Sequence, residues 1–132
     1  MESEVGTLLN EVGNVLAQDA DYPLDGTFLY VEADWGWVDM MIFKDLGDHL
    51  LARWPMNGLA DVLAELWEAE VPAKRWSSMQ YRIEGGAFSA SFTHGQLDPE
   101  ESTLDRRHRI LQQRYGNKRV DYPPLRRRGP DA

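Results

Sequence analysis

The chain has 132 residues, of which 42% are hydrophobic and 27% charged, proportions that fit one folded domain with one core and exclude a disordered segment. Twenty-two Asp and Glu against fourteen Lys and Arg give a net charge of -8, and the absence of cysteine excludes disulfides, a thiol nucleophile and cysteine metal sites. The charge is uneven: through Val71, fifteen acids face only Lys44 and Arg53, whereas from Pro72 onward seven acids face twelve Lys and Arg.

An acidic body repels nucleic acid and raises the on-rate toward a basic protein, so no direct nucleic-acid contact is expected. No apolar run approaches the roughly 18 residues needed to span a bilayer. The start, "MESEVGTLL", is acidic where a signal peptide is basic, so a cytoplasmic protein without membrane contact is expected.

Val5, Leu8, Leu9, Val12, Val15 and Leu16 recur at helical spacing, which predicts an amphipathic helix over 3–18 with Ser3 as N-cap. Gly6 and Gly13 weaken it by roughly 1 kcal/mol each against alanine, so it depends on packing. "TFLYVEAD" and "WVDMMIFK" flank a short glycine turn and predict a hairpin; "HLLARW" predicts a third strand ended by Pro55. Asn57 is the expected cap of a helix through Glu70, with Leu59, Val62, Leu63, Leu66 and Trp67 as its buried stripe. "SMQYRIE" and "AFSASFT" alternate around Gly85-Gly86, a second hairpin. Asp98-Pro99-Glu100-Glu101 has the chemistry of a helix start, and Gly116 that of its end. The expected fold is α+β: an antiparallel sheet of four to five strands, helices on one face, order α-β-β-β-α-β-β-α. The domain spans 1–124, and the basic segment 125–132 is expected to be a flexible tail.

Candidate chemistry is sparse. Glu32 and Asp34 are two apart on a strand, but no third ligand stands at metal spacing and no catalytic loop accompanies them. His49, His94 and His108 are isolated, no G-x-S-x-G elbow marks a nucleophile, and Gly85-Gly86 lacks the helix and lysine of a phosphate loop. No cofactor, metal or enzymatic activity is expected. Trp67 and Phe88 read as core. Trp35, beside Gly36 at a turn tip, either projects as an interface anchor or folds back over the hairpin. Arg106, Arg107 and Arg109 read as a solvated helix face pairing with Asp105, Glu101 or the acidic hairpin. The candidate partner-binding residues are therefore Asp21, Asp25, Glu32, Asp34, Trp35, Trp37 and Asp39.

Trp76, Gly86, Phe88, Phe92 and Asp98 mark a tryptophan, a G-x-F hairpin and an acidic turn. Asp105-Arg106-Arg107, Tyr115, Gly116, Tyr122, Pro123 and Pro124 follow. In this pattern, over roughly 27–124, the chain resembles the YezG-like immunity proteins of bacterial polymorphic toxin systems. It departs at Thr93–Gln96, where the family often has an aromatic-acidic pair, so no contact there is carried over. The resemblance implies a cytoplasmic inhibitor, monomeric or homodimeric, that binds a cognate toxin, commonly a basic nuclease. The element order is also similar to that of type III secretion chaperones, acidic dimers that hold an effector segment. On that reading Trp54, Leu63 and Trp67 serve a dimer interface.

Overall fold

A computed structural model describes residues 4–123. Its elements are α1 (Glu4–Leu16), β1 (Thr27–Asp34), β2 (Trp37–Asp45), β3 (His49–Arg53), α2 (Leu59–Glu68), β4 (Ser78–Glu84), β5 (Ala87–Thr93), α3 (Thr103–Tyr115) and β6 (Arg119–Asp121). The expected element order is present, and a sixth strand extends the sheet. The sheet order is β5-β4-β1-β2-β3-β6, antiparallel except for the β3–β6 pair.

The central strand explains the layers. On β1, Leu29, Val31 and Ala33 point to one face and Phe28, Tyr30 and Glu32 to the other, so both faces of this strand are buried. The first set packs with Val12, Leu16, Leu63 and Leu66 of α1 and α2. The second packs with Phe43, Leu50 and Leu111, which places α3 on the opposite face. The one-sided arrangement expected from the sequence is thus replaced by helices on both faces. An unbroken apolar run on β1 needs a cover on each side.

Several boundaries shift for local reasons. Gly58, at φ 91°, precedes α2, and no side chain caps it, so Asn57 does not serve there. Asp98 forms a turn, accepting from the Glu100 N–H at 2.9 Å, and α3 starts only at Thr103, with the Ser102 hydroxyl accepting from Asp105 N–H at 3.1 Å. The carbonyls of Asp98 and Glu101 are turned instead to the Arg106 guanidinium. Phe88 is not core; it is partly exposed and stacks on Tyr81 with ring centroids 5.1 Å apart. The Ser3 cap, Pro124 and the basic segment 125–132 lie outside the described residues.

Gly13 has a packing role. A Cβ there would stand 2.9 Å from the Tyr81 hydroxyl, which donates to the Leu9 carbonyl at 2.8 Å. Tyr81 is wholly buried and has no room to retreat. Gly13→Ala is therefore expected to destabilise the protein by about 1 kcal/mol in urea titration, despite alanine's higher helix propensity. A stabilised variant would show that the ring adjusts freely.

Candidate functional site

A cleft of about 720 Å³ opens at the end of the sheet where β1 turns into β2. Trp35, Trp37, Trp67 and Trp76 line it, together with Arg75 and Arg106. Four indoles in one cleft could not be inferred from spacing, because α2, the β1–β2 turn and the approach to β4 converge only in the fold.

Trp35 combines the two orientations open at the sequence level. It is 67% exposed, yet its ring meets Trp67 edge-on at 5.1 Å. The Arg75 guanidinium lies 4.6 Å from the centroids of both rings. Arg75 also donates to the Glu70 carbonyl at 3.1 Å and the Glu68 carbonyl at 3.2 Å, where a cation suits the negative end of α2. The Trp67 indole N–H in turn donates to the Trp76 carbonyl at 2.8 Å. Asp34 accepts from the Trp35 N–H at 2.7 Å and fixes the turn. The exposed indole is thus held in place by the domain's own contacts. Two buried donors beside it, Arg75 Nη1 and Trp76 Nε1, have no acceptor among the described residues.

Below the cleft lies a buried ion pair. Glu32 is 0% exposed and accepts from Arg106 at 2.7 and 2.9 Å, from the Tyr30 hydroxyl at 2.6 Å and from Thr103 at 2.8 Å. Burial by itself raises the carboxyl; the hydrogen bonds from Arg106, Tyr30 and Thr103 and the Arg106 charge outweigh it and hold Glu32 below its ordinary value. Glu32 therefore belongs to the interior and not to a binding rim, and Arg106 is not solvated. The other arginines pair as expected, Arg109 with Glu101 at 2.9 Å and Arg107 with Asp39 at 3.9 Å.

The remaining candidates separate. Asp34, Trp35 and Trp37 share the cleft, and Asp39 stands two residues along β2 from Trp37. Asp25 sits just before the other end of β1, a strand about 23 Å long at 3.3 Å per residue, where it accepts from the N–H groups of Gly85 and Gly86 at 3.1 and 3.0 Å. Asp21 joins Asp19 on Arg53, at 3.1 Å, beside β3. Asp25→Ala is expected to cost about 1 kcal/mol of stability, by loss of hydrogen bonds to the second hairpin. Thermal denaturation checks it.

The charge asymmetry of the sequence becomes a spatial one. α1 and α2 carry Glu4, Glu11, Asp61, Glu65 and Glu68, all exposed, and no Lys or Arg. α3, on the other face, carries Arg106, Arg107, Arg109 and Arg114 against Asp105 alone. The chaperone reading loses part of its interface, because Leu63 and Trp67 are buried in this domain's own core and only Trp54 is exposed. Among the described residues, no helix is long and apolar enough to cross a membrane. No protein-family model matches the chain, and no curated protein matches its sequence.

Proposed function

We propose that this protein is a non-enzymatic, cytoplasmic inhibitor of the immunity type, binding a basic protein toxin, with a nuclease domain as the expected target. The observation that carries the reading is Trp35: an exposed indole, fixed by Trp67 and Arg75, at the mouth of an aromatic cleft beside an acidic helical layer. Aromatic anchors dominate interface energies, and surrounding acids steer a cationic partner. The resemblance of residues 27–124 to immunity proteins supports the same class. With Glu32 interior and Asp21 and Asp25 remote, the acids that line the cleft are Asp34, Asp98 and Glu101. A nuclease groove that holds phosphates is cationic and complements these groups.

The test is titration of the protein into the C-terminal toxin domain of a secreted protein encoded beside it, following nuclease activity and survival of cells expressing the toxin. Inhibition complete near equimolar ratio is expected. Absence of binding, together with affinity for an unfolded effector segment, would replace this reading with the secretion chaperone.

A further inference from the structure

The two edges of the sheet differ. β6, at one edge, is three residues long and carries Arg119 and Asp121, paired at 3.0 Å. A short charged strand of this kind discourages edge pairing. β5, at the other edge, is seven residues of AFSASFT, with no charge and no proline. Among the described residues β4 is its only strand partner. The two-residue Gly85-Gly86 loop makes Glu84 and Ala87 a hydrogen-bonded pair, so by alternation Phe88, Ala90 and Phe92 present their backbone N–H and C=O groups outward.

The strand is also self-complementary. Phe88-Ser89-Ala90-Ser91-Phe92 reads the same in both directions. We propose that β5 is a homotypic contact, in which two copies join antiparallel about Ala90 and their sheets become continuous. In that register Ala90 meets its own equivalent, Phe88 meets Phe92 of the second copy, and Ser89 meets Ser91. Every outward backbone group of these residues then has a partner. The phenyl rings line the face that already carries the Tyr81–Phe88 stack, and the hydroxyls line the other. The nearest charge on the serine face, Arg82, donates to Ser89 at 2.9 Å. Across the joint it faces Ser91 and then Gln80, so no like charges oppose each other. A foreign strand would gain the same backbone bonds, but the palindrome favours a second copy.

This contact stands apart from the inhibitor reading. The cleft includes Ser77 and Gly95, near the Thr93 end of β5. Antiparallel joining places the two clefts at opposite ends of the seam, and both remain open. A single strand pair buries less than the roughly 1,200 Å² of standard interfaces, so the association is weak and concentration-dependent.

Sedimentation equilibrium tests it on the intact chain. The mass is expected to rise from one chain toward two between about 10 μM and about 1 mM, the affinity range of small interfaces. Ser89→Glu/Ser91→Glu and Ser89→Lys/Ser91→Lys each place like charges opposite one another, and each alone should remain a single chain. An equimolar mixture of the two should restore the dimer. Hydrogen exchange of the wild-type protein gives an independent reading: the Phe88, Ala90 and Phe92 amides should become more protected as concentration rises. A single-chain mass for the wild type at about 1 mM, or undiminished dimer in both charged variants, would overturn the proposal. Protection of β5 only when toxin is added would do so as well, assigning the edge to the partner.

Discussion

Arg106→Met is expected to destabilise the protein by about 3–5 kcal/mol, because it leaves the Glu32 carboxylate charged and unpaired in the interior. Arg106 donates to Glu32, Thr103 and the carbonyls of Asp98 and Glu101, so the same change releases the turn that precedes α3. The double variant Glu32→Leu/Arg106→Met removes both charges and should recover much of the loss, since an apolar pair of similar volume avoids the desolvation cost. Urea denaturation of the two single variants and the double variant measures the coupling. Additive losses would show that the pair contributes nothing beyond packing.

The same group sets an acid limb. The native carboxyl of Glu32 titrates below its ordinary value of 4.5. The native state therefore binds fewer protons than the unfolded chain between these two values. The stabilisation is complete above the ordinary value and is lost as pH falls through the lowered native one. Glu32→Gln should flatten the dependence of stability on pH in that window, at a cost in stability at neutral pH.

On the proposed inhibitor reading, Trp35→Ala combined with Asp34→Lys is expected to weaken toxin binding by about 3 kcal/mol or more, a factor of roughly 100 or greater. The exposed indole rests on Trp67 and Arg75 from outside, so its removal opens no internal cavity and the fold should persist. The charge reversal removes an attraction at the rim and adds a repulsion toward a cationic groove. Isothermal titration with circular dichroism as a folding control separates the two effects. Affinity unchanged from the wild type would move the interface away from the cleft and leave the open serine and phenylalanine edge as the next surface to examine.

The sequence was most informative where structure is local. β1, β4 and β5 begin and end where alternation and turn residues placed them, and α1 falls within its apolar stripe. Its failures were at positions governed by distant partners. Glu32 lies among acids in the sequence, but it shares parity with Phe28 and Tyr30 on a strand buried on both faces. Arg106 lies among arginines, but at helical spacing from Ile110, which packs inward. Those two parities were the available signal of an internal pair, and charge density concealed it.

Binary pattern, turn chemistry and composition thus determined the elements apart from β6, their order, the α+β class and the acidic amino half, because each depends on neighbours a few residues away. Tertiary structure alone decided that α3 covers the second face of the sheet and that Asp25 braces a hairpin far from Trp35. It also brought four tryptophans into one cleft, sorted charge between opposite layers and put β5 at an edge of the sheet. These outcomes depend on which strands become neighbours, and strand order is set by the cost and reward of long-range pairing, to which local sequence is blind.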